Sequence, residues 1–296
     1  MHVSAVIGKI KLKLTLRNGG NIMFGAILGD MIGSPYEFNS HNYKAKDFPL
    51  FSEASHFTDD TVMTLAVADA LMNAGDGEDL RKRLVRSMQT IGRRYPYSGY
   101  GSMFNCWLYQ KSARPYNSYG NGAAMRVSSV AWICEDIRTV REMARLTASV
   151  SHNHPEGYKG AEAVASAIFL ARTGDSKEEI RSYISREFQY DLSRTCDEIR
   201  PKYRMDETCQ GSVPEAITAF LEGESFEDVI RTAVSLGGDS DTIADMAGAI
   251  AEGFYGVPGY LKKECMARLT PDLRDIMRQF WEMYGRMDGA LLPSKK

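Results

Sequence analysis

From Phe24 onward the apolar residues recur every three or four positions, the spacing of one face of a helix. Val62, Leu65, Ala66 and Ala70 form one such stripe, and Leu84, Met88 and Ile91 a second. Val130, Ile133 and Ile137 read as a third, and Ala161, Val164, Ala165, Ile168 and Ala171 as a fourth. Two more run through Ile243, Ala247, Ile250, Ala251 and Phe254, and through Leu273, Met277 and Phe280. Start and stop signals punctuate the stripes. Asp76 to Glu78 and Gly174-Asp175-Ser176 break the pattern before acidic helix starts, and Thr270-Pro271 places a capping residue before a Pro at a first helical position. Gly256, Pro258 and Gly259 close another helix. No β-hairpin signal follows residue 22. The pattern predicts an all-α fold: one compact domain of many helices over residues 23–296, without a Pro- or Ser-rich linker and without a long internal repeat. Residues 1–22 are basic and loosely alternating, a poor match to a signal peptide, and stand apart as an extension: a short strand, a disordered arm or a translation extension ahead of Met23.

Composition narrows the class. Basic and acidic residues number 36 and 38, a net charge of −2, which gives no electrostatic reason for a nucleic acid or an anionic membrane as partner. The five cysteines are scattered and form no CxxC pair, which argues against a disulfide framework or a zinc site and for a reducing cytoplasm. No apolar run approaches the roughly 20 residues of a membrane span.

The chemistry concentrates at two places. Thr58-Asp59-Asp60-Thr61 and Asp239-Ser240-Asp241-Thr242 each put two carboxylates and hydroxyls at the mouth of a helix. One such cluster reads as helix capping, since Asp and Thr are favoured at N-caps and the helix dipole welcomes a carboxylate. Two clusters in one chain, the second preceded by Gly237-Gly238, read as the halves of a metal site. Their donors are all hard oxygens, which favour Mg²⁺, Mn²⁺ or Ca²⁺ over zinc. Neither has the long loop and distal Glu of an EF-hand.

Other stretches carry weaker signals. Gly25, Gly29 and Gly33 recur at four-residue spacing, as a helix does when it packs its small residues against a neighbour. Asp30 lies near the end of that helix, and Glu37 follows Pro35 in a turn, where it reads as a surface acid. The stretch from Asn117 to Gly122 is a polar glycine-containing loop ahead of a helix, suited to close approach of a phosphate but lacking a Walker signature. His152 and His154 precede the next helix, as ligand contacts or caps. Of the aromatics between Tyr95 and Tyr109, Phe104 and Trp107 read as core, and Tyr97 and Tyr100 as exposed rings able to stack on a base.

In order, GAILGDMIGSPYEF, FTDDT, NSYGNGAAMR, SHNHPEGYKGA and GGDSDT resemble the ADP-ribosylglycohydrolase family. The resemblance implies an orthogonal all-α bundle whose central cleft holds two Mg²⁺ (or Mn²⁺). It implies Thr58, Asp59 and Asp60 as ligands from one side and Asp239, Asp241 and Thr242 from the other. Glu37 falls on an acid that gates the metals and is essential to catalysis in the serine-specific branch. Ser118, Tyr119, Gly120, Asn121 and Gly122 fall on the loop that cradles a diphosphate, and His152 on a contact to the distal ribose or phosphate. His154 inherits no role.

The implied reaction is hydrolysis at the anomeric carbon of the distal ribose, with Glu37, Asp60 and Asp239 as the catalytic acids and a metal-oriented water. It frees ADP-ribose from a modified protein or small molecule, arginine being the first acceptor to consider and serine another. Two alternatives stay open: a non-catalytic ADP-ribose-binding or immunity protein, and a phosphatase using the same oxygens.

Overall fold

The computed structural model describes residues 22–38, 42–74 and 79–284. The extension up to residue 21 and the break at Asp76 to Glu78 lie outside the described residues. In chain order the helices are α1 (Phe24–Gly33), α2 (Asp59–Met72), α3 (Leu80–Gly92), α4 (Ser102–Tyr109), α5 (Ser128–Ile133), α6 (Ile137–Ala148) and α7 (Pro155–Thr173). There follow α8 (Lys177–Phe188), α9 (Cys196–Ile199), α10 (Cys209–Glu222), α11 (Phe226–Val234), α12 (Ser240–Tyr255), α13 (Gly259–Arg268) and α14 (Pro271–Tyr284). Short 3₁₀ turns occupy Ser34–Tyr36 and Asn121–Ala123. Among the described residues there is no strand beyond an isolated antiparallel bridge between Gly120 and Thr208. The all-α expectation holds.

The apolar stripes fall on α2, α3, α7, α12 and α14. The third stripe does not form one helix. α5 ends at Ile133 and α6 begins at Ile137, because extended Asp136 accepts a hydrogen bond from the Thr139 amide at 2.9 Å and caps a new start. Downstream, Gly174 closes α7 at φ 100°, and Ser176 and Glu179 form a reciprocal capping box that opens α8.

α1 and α12 are the buried axis of the fold. α1 is buried along its whole length, and α12 from Ser240 to Gly253. The four-residue glycine spacing makes their approach possible. A Cβ on Gly25 would lie 2.2 Å from the Gly248 carbonyl oxygen, one on Gly29 2.0 Å from that of Ala244, and one on Gly33 2.5 Å from the Asp241 Cα. The partners step backwards along α12, so the two helices run antiparallel. Backbone therefore rests on backbone, and the end of α1 is delivered to the start of α12. Ser240 Oγ donates to the Gly33 carbonyl at 3.2 Å across that junction.

Two buried acids cap helices other than their own. Glu252 of α12 accepts from the Phe24 and Gly25 amides at 3.1 and 2.8 Å, closing the N-terminus of α1. Asp30 of α1 accepts from the Thr58 and Thr61 amides at 2.9 and 3.1 Å, and from the Thr61 hydroxyl, closing that of α2. Both satisfy amides that a helix leaves without internal partners. Trp281 of α14 stacks on Phe24 at 5.1 Å and donates to the Ile22 carbonyl at 2.8 Å, so Ile22 is already part of the core.

Candidate active site

The mouths of α2 and α12 meet on one side of this axis. At α2, Thr58 is the N-cap and its hydroxyl oxygen accepts from the Asp60 amide at 3.3 Å. Asp59 is half-buried and held by its own amide, which donates to the Ser98 carbonyl at 2.7 Å. Asp60 is buried. Its Oδ2 lies 3.3 Å from Thr58 Oγ1 and 3.4 Å from Thr242 Oγ1, so it sits between the two clusters.

At α12, Asp239 occupies the N-cap position but makes no capping bond. Its Oδ2 instead accepts from the Asn121 side-chain amide at 2.6 Å. Gly237 and Gly238 both hold left-handed backbone, φ 69° and 68°. A Cβ at Gly237 would come within 2.3 Å of Asn42 Oδ1, so this tight turn needs glycine twice over. It turns Asp239, Asp241 and Thr242 toward Asp60.

Glu37 closes the circle from the turn after α1. Glu37, Asp239 and Asp241 each offer a carboxylate oxygen within 4.8 Å of the others. These acids line one end of a cleft of about 360 Å³. Its other lining includes Ser118 to Gly122, His152, Phe104, Arg126 and Glu207. The structure thus brings every sequence-derived site residue to one place, with Thr58 one contact behind the lining. Phe104 belongs to the cleft wall as well as to the core, and neither Tyr97 nor Tyr100 lines the cleft.

So many acids in one buried place repel one another. Burial first, and then the neighbouring carboxylates, push Asp59, Asp60 and Asp241 well above the usual carboxylate range. Glu37 is pushed up to about 8 by burial and then by the charge of Asp239. Burial also raises Asp239, against the lowering effect of Asn121. The Oδ1 of Asp60 is buried without any hydrogen-bond partner. An orphaned carboxylate oxygen among convergent hard oxygens is what a divalent cation satisfies. The donor set fits such an ion.

The polar loop is locked from below. The Asn121 amide donates to the Glu207 carbonyl at 2.8 Å and the Cys209 amide to the Tyr119 carbonyl at 2.9 Å. The Gly120 amide donates to Ser118 Oγ at 3.1 Å. Two amides offered by the sequence for a phosphate are therefore already satisfied within the protein. His154 is the N-cap of α7, its Nδ1 accepting from the Glu156 amide at 3.1 Å.

Sequence reasoning gave no role to four residues at the site. Asp30 was visible in the glycine stretch, but its capping of α2 depends on a contact across 28 residues. Asp245, one turn below Asp241, is buried with both carboxylate oxygens unpartnered. It lies opposite the apolar stripe of α12, on the face of Asp241 and Glu252, so nothing in the local pattern announced its burial. Glu207 and Arg126 carry no local signature.

The five cysteines are free. No helix among the described residues is long and apolar enough to cross a membrane.

Comparison with known proteins agrees with this geometry. A sequence model of the ADP-ribosylglycohydrolase family matches residues 20–289. The human ADP-ribosylhydrolase ARH3 is 30% identical, over 81% of this chain and 87% of that protein. The ADP-ribosylarginine hydrolase Tri1 of Pseudomonas putida (strain GB-1) is 26% identical, over 80% of this chain and 70% of that protein. A solved ADP-ribosylglycohydrolase-related protein complex shares the fold with a TM-score of 0.65 at 21% identity, covering 88% of this chain and 97% of that one. The ordered motifs, the helical architecture and the match along most of the chain lead to one conclusion: the protein belongs to the ADP-ribosylglycohydrolase family and is a hydrolase acting on ADP-ribose linkages.

Proposed function

We propose that this protein removes ADP-ribose from a mono-ADP-ribosylated acceptor, in a reaction that depends on two Mg²⁺ ions, with Mn²⁺ as a substitute. The observation that carries the reading is the convergence of Asp60, Thr242, Asp239, Asp241 and Glu37 at one end of a cleft whose walls are the Ser118–Gly122 loop and His152.

Thr58, Asp59, Asp60, Asp239, Asp241 and Thr242 are the residues that would hold the ions. Bound there, a divalent ion supplies Lewis acidity and offsets the mutual repulsion of the carboxylates. The remaining work falls to the chain. Asp60 and Asp239 face the end of the cleft where a ribose would lie, and their negative charge stabilises the cationic sugar formed as the anomeric bond breaks. Glu37 is half-buried within reach of Asp239 and Asp241, and in its ionised form it would take the proton of the attacking water. Ser118 to Gly122 and His152 position the diphosphate and distal ribose. Asn121 joins the two halves, since it belongs to the loop and also holds Asp239. Glu37, Asp239 and Glu207 make the acceptor end acidic, which suits a cationic arginine acceptor.

The test is release of free ADP-ribose from two peptides, one modified on arginine and one on serine, with Mg²⁺ and with EDTA. Metal-dependent release from the arginine peptide is the expected result. Release from the serine peptide alone would reassign the acceptor. Binding of ADP-ribose with no release from either would make the protein a binder. Phosphate release from simple esters would make it a phosphatase.

A further inference from the structure

Arg126 is fully buried beside the cleft, and among the described residues no carboxylate pairs with it. Its Nη2 donates to the Thr147 carbonyl at 3.1 Å and to Ser151 Oγ at 2.8 Å. Its guanidinium lies 5.8 Å from the centre of the Phe104 ring, and its Nε has no partner. Burial lowers Arg126 only to about 10, so it remains a cation at neutral pH. The Asp59 carboxylate favours the charged form from a distance, but a buried cation with no counter-ion in contact is costly to keep, which calls for a use.

Ser151 supplies the link. The same Oγ that accepts from Arg126 lies 2.8 Å from His152 Nδ1. Guanidinium only donates, so Ser151 Oγ must accept from it. Were His152 Nδ1 also to donate, the buried Ser151 hydroxyl hydrogen would be left with no acceptor. The consistent assignment has Ser151 donating to Nδ1. His152 then carries its proton on Nε2. A methyl group at Gly122 would lie 3.1 Å from that Nε2 and one at Gly120 3.6 Å, so it faces the glycine loop of the cleft. The ring is kept neutral as well: burial, and then the Arg126 charge, push His152 well below its ordinary value.

We propose that Arg126 and Ser151 are positioning residues that fix His152 in the neutral Nε2–H form, so that a hydrogen-bond donor faces the diphosphate and ribose oxygens of the ligand. The need is local: the Gly120 and Asn121 amides beside it are already satisfied within the protein, so neither is free to donate to an anionic ligand there. The identity of the ligand rests on the ADP-ribose reading above; the state of the ring does not.

The experiment has one arm on the ring and one on the ligand. NMR of the free protein with isotope-labelled histidine, assigned with a His152→Gln variant, identifies the protonated ring nitrogen. Protonation at Nε2 alone is expected; protonation at Nδ1, or at both nitrogens, overturns the proposal. In Ser151→Ala, measured on the folded protein, the ring should move to a mixture of the two neutral forms, with some loss of thermal stability because Arg126 and His152 each lose a buried partner. An unchanged Nε2–H ring in that variant overturns the relay.

For the ligand arm, the Gln amide stands in for Nε2 and the Asn amide for Nδ1. His152→Gln should bind ADP-ribose within a few fold of wild type, and His152→Asn about tenfold more weakly, the loss of one hydrogen bond. Equal losses in the two overturn the donor role. Wild-type protein that binds no ADP-ribose would overturn the ligand reading and leave the ring result standing.

Discussion

At the mouth of α2, Thr58 caps the helix in the ordinary way and Asp30 reaches across from α1 to occupy the amides of Thr58 and Thr61. At the mouth of α12, Asp239 stands in the capping position yet caps nothing, and its carboxylate goes to Asn121 and the cleft. Both stretches are made of Asp and Thr, and both sit at the positive end of a helix dipole, which opposes a bound cation. The difference lies in how each would meet that opposition with the ions bound as proposed above. α2 borrows a carboxylate from another helix for its amides, which leaves Asp59 and Asp60 to face the other cluster. α12 has two left-handed glycines that aim its own acids outward. Capping and metal binding are thus rival readings of the sequence, and in the structure Asp30 takes amides of α2, Asp239 caps nothing, and Thr58, a proposed ligand, still caps its helix.

Both mouths depend on α1 lying against α12, so the largest effect should come from separating those helices. Gly29→Ala places a methyl group 2.0 Å from the Ala244 carbonyl oxygen, a backbone atom that has nowhere to go. We expect a loss of about 3 kcal/mol, the upper part of the range for overpacking, read as a fall of roughly 6–12 °C in Tm. An unchanged Tm would mean that the helices slide apart at little cost.

The second effect is on turnover and distinguishes the mouths. Asp239→Asn removes a cleft charge without touching a cap. Hydrolysis should fall about a hundredfold or more while the Tm in EDTA holds or rises, because one member of a repelling cluster is neutralised. Near-wild-type turnover at limiting Mg²⁺ would take Asp239 out of the ligand set. Glu37→Gln sharpens the same point, since it should keep ADP-ribose affinity and lose turnover. Parallel loss of both would assign Glu37 a structural role.

Thr58→Ala is the reciprocal case. It should cost about 1 kcal/mol of stability through the lost cap, and lower turnover less than Asp239→Asn. A variant with full stability and no turnover would show that Thr58 serves the cleft and not the helix.

The smallest effect concerns the third capped mouth, that of α1. Burial pushes the Glu252 carboxyl up to about 7 from its ordinary 4.5, so the folded protein binds this proton more tightly than the unfolded chain. The stability it contributes is complete below about pH 4.5 and is lost as pH rises through about 7. Glu252→Gln should flatten that part of a plot of Tm against pH, at the cost of a weaker cap at all pH values. A slope that persists in the variant would place its origin in other groups.

Several of these features were legible from residue order. The period of the apolar residues located α3 and α14, because a half-buried helix must repeat its apolar face every three to four residues, whereas α2, α7 and α12 are buried on nearly every side and showed instead as stretches rich in apolar and small residues. The glycine spacing announced a close helix contact, since only small residues let two backbones touch. The two acid clusters announced hard-oxygen chemistry by their residue types alone. The limits were equally physical. Val130, Ile133 and Ile137 keep helical spacing across a break, because periodicity does not register an extended capping residue such as Asp136.

What the sequence by itself determined is therefore the kind of each part: helices by their period, a close contact by its glycines, and a set of hard oxygen donors by composition. Tertiary structure alone decided which part each residue serves. Asp30 caps a helix across 28 residues of chain, Asn121 holds an acid 118 residues away, and Arg126 reaches His152 through Ser151. Local spacing sets backbone conformation, whereas the partner of a buried polar group is set by whichever element packing brings within hydrogen-bond reach.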